Sequence, residues 1–352
     1  MSTTASRESK RRAKNDQELE GKRDNVGFTE IEFIVLCCQY WRKVDDLMEV
    51  VECVPNFSTS DPKTVDSILA EIKKIKDAFL LDVTFDSYYN RLVVSFVGNK
   101  KSVLQAALNA SLRAVELIDM RKHRGQHPRI GAVDIVPFIP IKNVSMEDCI
   151  RLAKEFGRTL AEKCKVPVYL YGDASPKNER GDVDWIREGD YEKLEENIVK
   201  PERKPDFGPA EFCAKSGATV TGARKVMAGF NVNLGTADLK IAKKIAKALH
   251  SKKGGFSNVK AMAAFIPEQN ITQIGMSIND FEKTPLYRVF EALKVECARY
   301  NIPIIGSEFC GLAPLKALID TAWYYLKTDN LSQGRVLEIA IQDAIEKGSK
   351  PE

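Results

Sequence analysis

The chain has 352 residues, 44% hydrophobic and 29% charged, with a net charge of +4. That is enough chain for two ordinary domains and a sizeable core, with the composition of a globular protein. Residues 1–23 hold seven Lys/Arg against four Asp/Glu, so the remainder carries only +1, which argues against a nucleic-acid-binding core. The longest apolar candidate, residues 31–38, falls well short of the ~18 residues a membrane helix needs, so no membrane partner is expected.

There are eight cysteines, none spaced as C-x-x-C, and three histidines. This argues against a zinc site and for reduced core cysteines in a reducing, cytoplasmic compartment. Residues 1 to about 25 are polar and charged and read as a solvated tail. Acidic Glu8, Asp16, Glu18 and Glu20 count against a transit peptide. The apolar residues of 28–48 fit a short helix or a strand, and 1–48 is left as an uncertain leader.

From residue 50 the pattern sharpens. Residues 50–57 read as a strand ending at Pro55. Asp61-Pro62 reads as a helix start, with Ile68, Leu69, Ile72 and Ile75 on one face of the helix that follows. Strands 79–83 and 91–97 flank a loop at 84–90. A helix at 102–120, a strand at 133–141, a helix opened by the Ser145/Asp148 capping pattern and a strand at 166–171 complete the first half. Residues 173–207 are polar and irregular and read as the connection. The second half repeats the order: strand 225–234, a helix capped by Thr236, strands 259–266 and 271–278, helix 285–300 and strand 303–306. Helices at 314–325 and 331–347 follow. The fold class is therefore α+β, two ferredoxin-like βαββαβ units with a ligand cleft between them. Residues 49–205 form the first unit, 206–330 the second, and 331–352 a C-terminal helix and tail.

The chemistry centres on Gly125-Gln126-His127-Pro128-Arg129-Ile130-Gly131, which leads through Asp134 into an apolar strand. Pro128 biases His127 toward extended geometry, and an imidazole on a rigid turn suits proton transfer near neutral pH. Arg129 can hold a carboxylate. His123 and His250 sit at charged helix ends and read as solvated caps. The loop Gly217-Ala218-Thr219-Val220-Thr221-Gly222-Ala223-Arg224 lacks the Lys and Ser/Thr of a phosphate loop. Asn56 and Asn90-Arg91 stand at strand ends of one sheet. Glu308 lies between Gly306 and Gly311.

Taken together, these segments resemble the formiminotransferase family over residues 50 to 327. The resemblance rests on Val51-Glu52-Cys53-Val54-Pro55-Asn56-Phe57-Ser58, Asn90-Arg91, Phe96-Val97-Gly98, Leu117-Ile118-Asp119-Met120, His127 through Asp134, and Val168 through Gly172. In the second half it rests on Asp206-Phe207-Gly208-Pro209, Gly217 through Lys225, Phe230-Asn231-Val232-Asn233 and Gly311 through Leu318. It implies transfer of a formimino group from N-formiminoglutamate to N5 of tetrahydrofolate, a co-substrate, with no metal needed. The family's catalytic histidine falls on His127, and its folate-contacting loop on Gly208, Pro209, Phe212 and Gly217. Arg91, Arg129 and Arg224 become candidate carboxylate clamps, Thr219 and Asn56 further binding residues, and Asp134 or Glu308 a partner that orients His127. A homodimer is expected. No deaminating second domain follows, so that activity is not expected. Tyr88 and Tyr89 stand where family members are often acidic, which leaves 5-formyltetrahydrofolate with glutamate as an alternative substrate pair. A non-catalytic folate-binding protein is the alternative of another class. An RNA-binding reading fails because 92–97 lacks the aromatic strand pattern it needs.

Overall fold

The computed structural model describes residues 49–176 and 181–348, so the expected leader lies outside them, along with Cys37 and Cys38. The described chain is mixed α and β, with two sheets each backed by helices.

The first sheet has seven strands. β1 (Val50–Cys53) and β2 (Asn56–Phe57) are one expected strand cut in two at Val54-Pro55, where proline has no N–H to give. Helix α1 (Pro62–Lys73) follows, its N-cap Asp61 accepting from the Thr64 N–H at 2.9 Å. β3 (Ala78–Asp86) and β4 (Arg91–Gly98) form a hairpin tighter than the expected loop, turning at Asn90 with φ +47°. Helix α2 (Lys100–Leu117), β5 (Val133–Lys142), helix α3 (Met146–Cys164) and β6 (Val168–Gly172) come next. The Ser145/Asp148 capping box forms as the sequence indicates.

Across the sheet the strands run β3, β4, then β1 and β2 together, then β5. All of these pairings are antiparallel. β7 (Thr219–Ala223) lies past the expected boundary at residue 205, yet it joins this sheet between β5 and β6, parallel to both. Helices α1 to α3 cover one face, burying Ile68, Ala106 and Phe156 against Val51, Phe96 and Phe138. Small residues on α2 (Ala106, Ala107, Ala110, Ala114) let it sit close to its neighbours, and all four are fully buried.

The polar segment between β6 and β7 is not featureless. It holds two short helices, α4 (Val183–Ile186) and α5 (Leu194–Ile198), with a 3-10 turn at Tyr191–Lys193. These pack on the opposite face of the first sheet, where Ile186, Leu194 and Ile198 join Tyr169, Tyr171 and Val220.

The second sheet has four antiparallel strands in the order β11 (Ile304–Phe309), β8 (Ala228–Leu234), β10 (Ile271–Ile278), β9 (Val259–Ile266). Helices α6 (Leu239–Leu249), capped by Asp238 rather than Thr236, and α7 (Leu286–Ala298) cover one face. Val232, Ile274, Ile245 and Leu293 meet there. The alternation along β8 sends Phe230 and Val232 inward and Asn231 and Asn233 to the uncovered face. Helices α8 (Leu315–Leu326) and α9 (Leu337–Gly348) follow. Among the described residues, no helix is long and apolar enough to cross a membrane.

Candidate active site

The His127 turn is shaped by what it must pass. A side chain on Gly131 would put its Cβ 2.1 Å from the Ala218 carbonyl, and one on Gly125 would sit 2.4 Å from that of Tyr89. Glycine at both ends lets the turn squeeze between the β3–β4 hairpin and the segment leading into β7. It is stitched there by Ala132 N–H to Ser216 O at 2.8 Å and Ala218 N–H to Ile130 O at 2.9 Å.

His127 is half-buried, with its Nε2 2.7 Å from Arg91 Nη1. Arginine has only donors, so Nε2 must be the acceptor and the ring proton sits on Nδ1. The ring also bonds the Pro128 backbone carbonyl. Burial, then the charges of Arg91 and Arg187, push the imidazole's pKa down to about 2, against the pull of that backbone bond. The ring is therefore neutral at physiological pH. Tyr89 stands edge-on to it, ring centroids 6.5 Å apart.

Asn56 joins the same chain of bonds. Its Nδ2 donates to Val54 O at 3.2 Å and its Oδ1 accepts from Arg91 Nη1 at 3.3 Å. Asn56, Arg91 and His127 thus come together from β2, β4 and the turn. Arg91's own pKa is lowered, first by burial and then by Arg187.

Asp134 and Arg129 lie close by with other partners. Asp134, 1% exposed, accepts from Ile130 N–H at 3.0 Å and is ion-paired with Arg187. The imidazole is oriented by Arg91 and the Pro128 carbonyl, since the bonds of Asp134 and Glu308 go elsewhere. Arg129, 7% exposed, is forked onto Glu192 with Nη1 to Oε2 at 2.9 Å and Nη2 to Oε1 at 2.6 Å. Its Nε donates to His123 Nδ1 at 3.3 Å. Arg129 therefore braces the turn from behind, and its fork is taken. His123 is buried rather than a solvated cap. Its Nε2 donates to Asn90 O at 2.9 Å, which ties the turn to the hairpin. His250 does occupy a helix end, where its Nδ1 accepts from Lys252 N–H at 3.1 Å.

The remaining expected residues divide. Gly217 bridges Gly131 and supports the turn. Thr219 is buried in β7. Phe212 packs on Tyr191, ring centroids 5.4 Å apart. Gly208, followed by Pro209, has φ +80° and abuts the Val166 carbonyl, where a Cβ would clash at 2.3 Å. Arg224 lies beside Glu52, whose carboxyl is pushed up by burial and pulled down by that guanidinium.

Glu308 sits on β11, on the uncovered face of the second sheet, and accepts from Asn231 Nδ2 and Gln273 Nε2, both at 3.1 Å. Gln273 Nε2 also donates to Asn233 Oδ1 at 2.8 Å. Cys310, two residues further along the chain, lies in the electrostatic field of Arg91 and Tyr89. The end of β11 therefore lies beside β3 and β4 of the first sheet. Further ties between the halves run from Tyr88 Oη to Phe265 O at 3.3 Å and from Lys260 to Asp182 at 2.5 Å.

Sequence reasoning missed Arg187, Glu192 and the amide group Asn231, Asn233 and Gln273. Arg187 and Glu192 sit in the stretch read as a connection. The amides had a signal in the strict alternation of 228–234. Among the described residues, no group of three His, Cys, Asp or Glu is arranged to hold a metal.

The formiminotransferase domain's N-terminal subdomain matches residues 50–224, and the formiminotransferase domain matches residues 229–347. A glutamate formimidoyltransferase of Thermoplasma acidophilum is 42% identical over 84% of this chain and 99% of its own length. One from Streptococcus pyogenes serotype M1 is 39% identical over 81% of this chain and 95% of its own length. The formimidoyltransferase-cyclodeaminase of Rattus norvegicus is 42% identical over 81% of this chain, which spans 54% of that protein. With two domain matches covering both sheets and relatives aligned nearly end to end, the chain belongs to the formiminotransferase family, whose members are one-carbon transferases.

Proposed function

We propose that this enzyme moves the formimino group of N-formiminoglutamate to N5 of tetrahydrofolate, with His127 as general acid and base. The observation that carries the reading is the neutral imidazole whose Nε2 is held as an acceptor beside Arg91, on a turn braced from three sides. N5 attacks the amidine carbon and a tetrahedral intermediate forms. His127 takes the N5 proton and returns it to the departing glutamate nitrogen as the C–N bond breaks. Arg91 is the clamp for a substrate carboxylate, and Asn56 positions Arg91. On the second sheet, Glu308 with Asn231 and Gln273 offers acceptors and donors to the polar edge of the pterin. Gly208, Pro209, Phe212 and Gly217 are assigned to the loop that shapes the folate side, and Arg224 to its anionic tail.

Each half reads as a ferredoxin-like unit. The support is the strand order of the second sheet, 4-1-3-2 in its own count, and the same antiparallel order from β3 to β5 in the first. We place the division between the units at residues 224–228. We also assign the enzyme to the cytoplasm, where its unpaired cysteines remain reduced, and expect it to act as a homodimer, for which the exposed Leu318, Trp323 and Leu326 of α8 provide apolar surface.

The test is to mix purified protein with tetrahydrofolate and N-formiminoglutamate, and separately with 5-formyltetrahydrofolate and glutamate, and to follow folate absorbance. Turnover in the first mixture is expected. Turnover in the second alone assigns the formyl chemistry instead. Folate binding with turnover in neither makes the protein a binder.

A further inference from the structure

The cations around His127 are not balanced one for one. Arg129 is paired with Glu192, and Arg187 with Asp134. Arg91 has only neutral partners: its Nη1 donates to Asn56 Oδ1 at 3.3 Å and to His127 Nε2 at 2.7 Å. A guanidinium carries five N–H donors, and among the described residues Nε and Nη2 of Arg91 donate to nothing. That open edge has the spacing a carboxylate uses for two parallel bonds. The nitrogen with which His127 would take a proton is meanwhile covered by Arg91's other arm.

The remaining surroundings of His127 offer no replacement anion. The turn contributes Arg129 and the Pro128 carbonyl, the hairpin Tyr89, the segment after α4 Arg187, and the end of β11 Cys310. The carboxylate from β5, Asp134, is committed to Arg187 and the Ile130 N–H. An incoming carboxylate is thus the one event that changes the sign of charge at this spot.

We propose that Arg91 keeps His127 from acting as a base until a substrate carboxylate takes the guanidinium, so that docking the glutamate moiety and freeing the imidazole are a single step. The proposal rests on His127 being the acid–base group of the reaction above. Two parallel bonds to the open Nε–Nη2 edge offset the guanidinium charge and draw Nη1 off the imidazole, which leaves Nε2 able to accept the N5 proton. An enzyme without its substrate holds no idle protonated imidazole. A folate arriving alone meets a covered base.

The experiment is a pH titration of the ring nitrogens of His127 by 15N NMR on the full chain, with and without L-glutamate as the probe. The three histidines are told apart by single substitutions. Free wild-type protein is expected to keep Nε2 unprotonated throughout the acidic range in which it stays folded. Saturating glutamate is expected to raise the His127 midpoint by at least about one pH unit. R91M, which removes the cation and keeps an apolar stem, is expected to raise the midpoint without glutamate, and glutamate then moves it no further. R91K, a cation without the fork, is expected to fall between.

A midpoint in wild-type protein that glutamate does not move overturns the proposal, as does an R91M midpoint equal to the wild-type one. The wild-type titration decides even if R91M does not fold. The transfer assay separates the two readings. An active enzyme with a glutamate-blind His127 loses this proposal alone, whereas an inactive one loses the proposed function.

Discussion

The two sheets carry different polar chemistry. On the first, buried ionic groups are paired, Arg187 with buried Asp134 and Arg129 with the exposed Glu192, while Arg91 sits on a neutral imidazole. On the second, one carboxylate is held by side-chain amides on a solvent-facing strand surface. Buried ion pairs fix groups rigidly and punish the loss of a partner, while amides around an exposed carboxylate cost little and exchange readily for a ligand's donors. Rigid ion pairing on one sheet and adaptable hydrogen bonding on the other is the contrast between them.

Removing one member of the first sheet's pairs should have the largest effect. Arg187→Met leaves Asp134 charged at 1% exposure, and unfolding in urea should show a loss of about 3–5 kcal/mol. Adding Asp134→Asn to it should recover part of that loss, because the stranded charge is gone. Next comes His127→Ala, which should fold with an unchanged circular dichroism spectrum yet lose at least ~10²-fold in kcat. An equal rate in purified protein would remove His127 from the chemistry.

On the second sheet the same style of change should be mild. Glu308→Gln keeps shape and loses charge. About tenfold weaker folate binding is expected by fluorescence quenching, with urea stability unaltered. A stability loss as large as that of Arg187→Met would erase the contrast between the sheets.

The last test is pH. His127 is held below its unfolded value of about 6.5, so below that pH the unfolded chain binds a proton that the folded chain refuses. Stability should therefore be intact above about pH 6.5 and decline as pH falls from there toward 2, by at most about 1.4 kcal/mol per pH unit from this group. His123, lowered chiefly by burial, adds to the decline with the same sign. His127→Gln should flatten the slope between pH 6.5 and 4.5, read from urea midpoints.

Much of the frame was legible because its signals are local. The Ser145/Asp148 box, the Asp61-Pro62 start and the alternation of 228–234 each declare an element within a few residues. The grouping of Asn56, Arg91 and His127 was foreshadowed by strand ends and a glycine-bounded turn. Long-range choices were hidden. β7 pairs in parallel with β5, Thr221 Oγ1 reaching Val136 O across 85 positions, and nothing near Thr219 announces such a partner. Arg129 looked free to clamp a substrate because Glu192, 63 positions on, lay in a stretch whose polarity resembled a linker. His123 looked solvated because its neighbours in sequence are charged, while the hairpin that buries it comes from 33 positions earlier.

Each hydrocarbon interior is finished without help from the other, since both sheets carry their own helices. Among the ties across the join are Asp182 to Lys252 and Lys260, and Asp184 to Lys260, with the Lys252 and Asp184 side chains about half exposed. Ionic links at a wet boundary are weak singly and fade as electrolyte rises. Concentrated salt would loosen this seam before either interior softened, so the two halves could shift against each other at little expense to the fold of either.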